Sequence, residues 1–465
     1  MTALVERGGA IRASRAGARR PRGRRRLPAS WPLIMAVGLF PLWWAFGLTP
    51  FAFPLAAVPM GWQLLRTGKV RVPPGFGIWL LFLAWVLGSA LALNLTAPST
   101  LPVSGFGRIL AYAFRFMNYV AMTVAMLYVG NMSERKLPRL AIIRLFGLLC
   151  LSTIALGLAG VLFPRLKFHS PLAALVPASL GDTGLTGTIA ISQVQQVLGF
   201  TSPRPAAPFT YTNAWGYSFS LLVVWFVVGW WVAGGPSRRL VTAGALAVAL
   251  VPVVYSLDRG MWIGLILSVG YFAFRHALRG RVMVIVGLIA GLGVLAGIFA
   301  VSPLSTLVAE RLAHGHSNAT RTSLAGESLR VAVSSPVIGY GSTRKTIGSD
   351  QSIAVGAGPG CPKCGNRDIG STGQIWLLLT AQGFFGAALY IAFFIRVLWA
   401  YRRDASMVGI MGTLVLLLSL MYSVFYNAQI MPLAITMITI GLLWRNSDAG
   451  KEAAAQQRLA RSTRT

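Results

Sequence analysis

Arg259 and Arg321 are the residues of this chain best suited to chemistry. Arg259 sits in the short stretch SLDRGMW (256–262), between two apolar runs, and Arg321 in the longest polar segment. A guanidinium is a planar fork of donors that keeps its charge and matches phosphate oxygens. Two such groups fixed at a membrane surface would stabilise a departing pyrophosphate without a metal, by meeting the charge that develops in the transition state. Arg259 has a plainer reading as well: a topology or helix-cap residue paired with Asp258.

Other chemistries find little support. No GxxxxGK[ST], Asp-x-Asp pair or GxSxG elbow occurs, and the four histidines at 169, 276, 314 and 316 lack metal-protease spacing. With 11 scattered acidic residues, neither a carboxylate-held metal nor any other cofactor is expected. Cys361 and Cys364 form one CPKC stretch, half of a zinc site with no second pair. A local disulfide is the expectation if that loop faces outward. His314, His316 and Glu327 share the loop with Arg321 and are candidate bases; each also reads as a solvated surface residue.

These side chains must be positioned by membrane helices. The 465 residues are 55% apolar and 11% charged, against about 25% charged in soluble domains. Apolar runs fall at about 31–48, 50–65, 75–94, 109–130, 140–163, 212–233, 240–257, 260–275, 282–301, 373–395, 406–425 and 428–444. Many approach the roughly 20 residues that cross a bilayer. The fold expected is an all-α polytopic membrane protein of about twelve transmembrane helices, the first two kinked by Pro41, Pro50 and Pro54. A basic arm (1–29) precedes the membrane domain (30–446), and a short tail (447–465) follows.

Lys+Arg number 42 against 11 Asp+Glu, a formal charge of +31. The excess clusters beside alternate connectors, pointing to anionic lipid and to topology; no nucleic-acid motif accompanies it. The positive-inside rule puts both termini in the cytoplasm. The long segments 164–211 and 302–372 then lie outside, the second between spans 9 and 10. Within it RTSLAGESLRVAVSSP is amphipathic, with Leu324, Ser328 and Val331 on one face. Arg115 and Arg144 interrupt otherwise clean spans and either snorkel or line a cavity.

Four stretches resemble the O-antigen ligase and polysaccharide polymerase family of bacterial membrane proteins. FTYTNAWGYSFSLL, from Phe209, is similar to its segment with an asparagine opening a span. SLDRGMWIGL is similar to its Ser-Arg-Gly-x-Trp signature, with Asp258 replacing the serine. RTSLAGESLRVAVSSPVIGYGS resembles its outer-loop arginine, helix and Pro-[apolar]₂-Gly-x-Gly, filled by Arg321, Pro336, Gly339 and Gly341. STGQIWLLLTAQGFFGAALY resembles the segment that re-enters the membrane, with Gly383 and Gly386.

The resemblance covers 209–395. It implies a glycan ligase or polymerase of the bacterial cytoplasmic membrane. Such an enzyme transfers saccharide from undecaprenyl pyrophosphate to an acceptor hydroxyl at the outer face. By similarity Arg259 and Arg321 grip the pyrophosphate, and Asn213 and Gln374 are candidate substrate-binding residues. The family's histidine is replaced by Thr372. That departure leaves a non-catalytic binder of lipid-linked saccharide as the alternative; a permease is the remaining one, against which stands the lack of internal repeats.

Overall fold

The computed structural model describes residues 27–102, 107–175, 191–196, 204–280, scattered positions between 283 and 297, 316–347 and 367–462. Cys361, Cys364, His314, the arm through residue 26 and much of the 282–301 run lie outside the described residues. Among those described, six helices are long and apolar enough to cross a membrane. They are α3 (Gly107–Asn131), α4 (Arg139–Leu162), α5 (Thr212–Phe226, continued as a π-helix to Val232), α6 (Pro236–Tyr255), α9 (Gln374–Tyr401) and α10 (Met407–Phe425). The remaining main helices are α1 (Ala52–Leu65), α2 (Phe76–Gly88), α7 (Arg259–Ala277), α8 (His316–Ser334) and α11 (Met431–Ser462). Short antiparallel strand pairs join Lys167–His169 to Ile191–Gln193 (β1, β2), Gln195–Gln196 to Arg204–Pro205 (β3, β4) and Arg344–Lys345 to Asp368–Ile369 (β5, β6).

Helix ends follow local chemistry. Pro236 opens α6 with its fixed φ. The Ser406 hydroxyl caps α10 by accepting from Gly409 N at 3.0 Å. The proline-rich start is broken into short helical pieces over Trp31–Phe51, as its sequence predicts. An aromatic cluster of Trp79, Phe82, Tyr119, Tyr390, Phe393 and Phe394 locks α2, α3 and α9 together.

The helix from Gln374 is not continuous. At Gly383 the backbone takes φ 68°, ψ −171°, which breaks it in two. The Pro-[apolar]₂-Gly-x-Gly stretch docks into that break. Phe384 N donates to Pro336 O (2.7 Å), Tyr340 N to Thr380 O (3.0 Å) and Gly341 N to Ala381 O (2.7 Å). Trp85 Nε1 adds bonds to Val337 O and Gln382 O at 2.9 and 3.2 Å. Backbone groups freed by a break in an apolar bundle must find such partners. A Cβ on Gly339 would lie 2.5 Å from backbone atoms of Ala381 and Gly383, so glycine is required there.

This docking carries α8 with it. Leu324, Ser328 and Val331 are buried on the face the sequence predicts, while Leu329 and Val333 are exposed. Ser328 Oγ accepts from Gly370 N at 3.2 Å, pinning α8 to the chain that leads into α9. Arg344 closes the same end of the bundle. Its Nη2 donates to the carbonyls of Leu95 and Tyr340, both at 2.9 Å, capping the chain that leaves α2.

The basic connectors gather at the opposite end. Arg275 donates to the carbonyls of Arg402 (2.8 Å) and Asp404 (2.7 Å), and Arg139 to Asn446 (2.7 Å). Arg71 pairs with Asp448 at 3.4 Å. Arg144 reaches toward this end, bonding Ala233 O at 3.3 Å. Arg115 behaves differently, because it falls on the inward stripe of α3 with Tyr112 and Tyr119.

Candidate functional site

At the end away from the basic connectors, four chain segments meet around Tyr426. The first is the Asp-Arg turn. α6 stops at Tyr255 and α7 starts at Arg259, so the chain reverses within Ser256–Asp258. Leu257 takes φ 51°, a left-handed conformation that costs a non-glycine residue about 1 kcal/mol. Trp262 Nε1 closes the turn on Val253 O at 3.0 Å. Asp258 caps α7, its carboxylate accepting from Met261 N at 3.3 Å.

Asp258 is 4% exposed and Tyr426 3% exposed, and the Tyr426 hydroxyl donates to Asp258 Oδ1. Oδ2 has no hydrogen-bond partner among the described residues. It faces Gly216 on α5, where a Cβ would lie 2.5 Å away. Burial pushes the Asp258 carboxyl above the ordinary aspartate range. The Tyr426 hydrogen bond opposes that shift first, then the charge of Arg204, the Met261 amide and the charge of Arg321. Tyr426 is raised well above the usual tyrosine value, chiefly by burial and then by Asp258.

Arg321 comes to this place from α8. Its Nη1 donates to Phe425 O at 3.4 Å, and its guanidinium carbon lies 6.0 Å from the Tyr426 ring centre. Arg204 comes from β4, buried at 6% exposure, with Nε donating to Ser256 O at 2.7 Å. Arg259, half-buried, is the first residue of α7; beside it, a Cβ on Gly260 would strike the Tyr426 hydroxyl. Arg204 and Arg321 therefore bring positive charge to one carboxylate, with Arg259 the next residue in the chain, and the local balance is positive.

The other candidates divide. Asn213 is half-buried at the second position of α5, one turn before the Gly216 that touches Asp258. Gln374 is fully buried and turned to the interior: its Nε2 donates to the Tyr119 hydroxyl (2.9 Å) and its Oε1 accepts from Ala428 N (3.2 Å). Its own amide donates to Tyr426 O at 2.9 Å, so it positions the Tyr426 turn. Thr372 carries a hydroxyl with no partner among the described residues. Glu327 is paired with Arg330 at 2.7 Å. His316 opens α8.

Sequence reasoning singled out neither Arg204 nor Tyr426. Arg204 lies in a Pro-rich stretch without periodicity, and Tyr426 reads as the end of an apolar span. The signal that remained was a charged residue inside that stretch and a tyrosine at a span boundary. Among the described residues no cluster of His, Cys, Asp and Glu suits a metal ion. The arrangement offers guanidinium donors for an anion and a buried carboxylate that organises them. Comparison with models of known protein families gives no match to the chain, and comparison with curated proteins gives none.

Proposed function

We propose that this membrane protein transfers saccharide from a polyprenyl pyrophosphate, undecaprenyl pyrophosphate in the family it resembles, to an acceptor hydroxyl. The supporting observation is the meeting of Arg321 with the Asp258–Arg259 turn at Tyr426, at the bundle end opposite the basic connectors. In this reading the basic end is cytoplasmic by the positive-inside rule, and the site faces outward from the bacterial cytoplasmic membrane. About twelve spans and both termini inside complete the topology.

The chemistry is a displacement at the anomeric carbon. A bond forms from the acceptor oxygen to that carbon, and the bond to the phosphate oxygen breaks. The electron pair leaves with the diphosphate, whose growing charge Arg259 and Arg321 meet, and the acceptor's hydroxyl proton passes to solvent water. Asp258 holds Tyr426 and offsets the arginines when no diphosphate is present, which keeps the cations fixed. Substituting Arg259→Ala and Arg321→Ala, each assayed for glycan transfer in membranes, is expected to lower transfer by about 100-fold or more. Undiminished transfer in both removes the proposal.

A second reading, a non-catalytic binder of lipid-linked saccharide, draws on Thr372 at the family's histidine position and on Glu327 being held by Arg330. Product formed by the purified protein excludes it.

A further inference from the structure

The inward face of α3 carries charge that the site around Tyr426 leaves unused. Arg108, Tyr112, Arg115 and Tyr119 follow at helical spacing, and Tyr112 and Tyr119 are buried. Arg115 therefore lies on the stripe turned into the bundle, and Arg108, half-buried, stands at the start of that stripe. A cation inside an apolar bundle is costly and marks a polar pathway or ligand unless the protein pairs it.

Here the protein pairs it incompletely. Arg108 Nη2 donates to Asn94 Oδ1 at 2.7 Å, but its Nε and Nη1 have no partner among the described residues. The same holds for Arg115 Nη1 and Gln429 Nε2. Among the described residues, the unpartnered donors here outnumber the unpartnered acceptor on α3, Asn118 Oδ1. The groups are connected: Arg115 stands one turn before Tyr119 on α3, the Tyr119 hydroxyl accepts from Gln374 Nε2 at 2.9 Å, and Gln374 Oε1 accepts at 3.2 Å from the amide of Ala428, the residue before Gln429. Gln374 in turn bonds the backbone of Tyr426 and Ala428. Tyr119 is thus joined through Gln374 to the Tyr426 turn, and Gln429 lies three residues beyond Tyr426 in the chain.

The geometry points to a second anion subsite, formed by Arg115 and Gln429 beside Tyr119, that takes the phosphate of a membrane-embedded phosphate ester. An oxyanion brings several acceptor oxygens to donors that otherwise face none. Arg108, two turns nearer the helix start, lies along the same stripe and offers the same ligand a cation on its way in. The inference rests on the proposed function only for the ligand's identity: the phosphate belongs either to a polyprenyl diphosphate or to an anionic lipid headgroup.

Binding to the full chain in nanodiscs separates these sources. The probes are a polyprenyl diphosphate and phosphatidylglycerol, scored against neutral lipid by native mass spectrometry. Arg115→Gln is expected to weaken one of them by about tenfold or more, the worth of a charge-assisted hydrogen bond. Arg115→Lys should recover part of that loss, and Gln429→Leu, which leaves the arginine in place, should weaken the same probe. Loss confined to the diphosphate assigns the subsite to the carrier lipid; loss confined to phosphatidylglycerol assigns it to a headgroup. Unchanged binding of both probes in the Gln429→Leu and Arg115→Lys proteins, with Arg115→Gln either unchanged or unfolded, overturns the subsite. Glycan transfer is measured in parallel, so that weakened binding without transfer in any protein retains the subsite and removes the transferase reading.

Discussion

The most constrained side chain of the site is Asp258, a carboxylate among arginines with one oxygen bonded to Tyr426 and the other facing a glycine. Its raised value has a defined sign. Between the ordinary aspartate value of 3.8 and the raised one, the folded chain holds a proton that the unfolded chain has released. Asp258 therefore withdraws stability as pH rises through that window. Asp258→Asn should flatten this part of the curve of thermal midpoint against pH in detergent; an unaltered curve contradicts the assignment. Tyr426→Phe leaves Asp258 Oδ1 without its hydroxyl donor and should cost about 1–3 kcal/mol, read from the same melts. Arg259 and Arg321 were legible as charges standing between apolar runs. Arg204 and Tyr426 were not, because their importance comes from partners distant along the chain.

Hydropathy located the helices well, since crossing apolar surroundings demands long uninterrupted runs. The expected runs at 109–130, 140–163 and 406–425 correspond to Gly107–Asn131, Arg139–Leu162 and Met407–Phe425. The break at Gly383 is invisible to hydropathy because apolar residues continue on both sides; the family-like glycines were the available sign. What makes the break tolerable is the docked 336–341 stretch, which returns hydrogen bonds to the interrupted backbone. Gly339→Ala must strain a φ of 70° and push a methyl into the Ala381–Gly383 backbone. A loss of about 1–3 kcal/mol is expected, with new protease cleavage near α8. Arg344→Ala removes donors to the Leu95 and Tyr340 carbonyls and should loosen the same end, seen as faster amide exchange there. Unchanged proteolysis and exchange would mean that α8 is held by other contacts.

At the scale of the whole molecule, two ends of one bundle differ in character. One is tied by arginines, Arg275 bonded to the loop carbonyls of Arg402 and Asp404 and Arg139 to the side-chain amide oxygen of Asn446. The other gathers the Asp258 turn, α8 and the broken α9. Alternating charge in the connectors made this polarity readable, whereas the packing of the described loops was not, because short strands and irregular turns leave no period. With the native cysteines replaced, a cysteine at exposed Tyr211 should react with a membrane-impermeant maleimide applied outside cells, and one at Arg403 should not. The reverse pattern would put the site in the cytoplasm.

The central claim is that the arginines around Tyr426 receive a diphosphate, and a cryo-electron microscopy structure of the protein with a non-transferable polyprenyl diphosphate analogue in nanodiscs tests it most directly. The account predicts diphosphate density within hydrogen-bond reach of Arg321 and Arg259, with Asp258 still bonded to Tyr426. Diphosphate bound elsewhere, with Arg321 still on the Phe425 carbonyl, would contradict it.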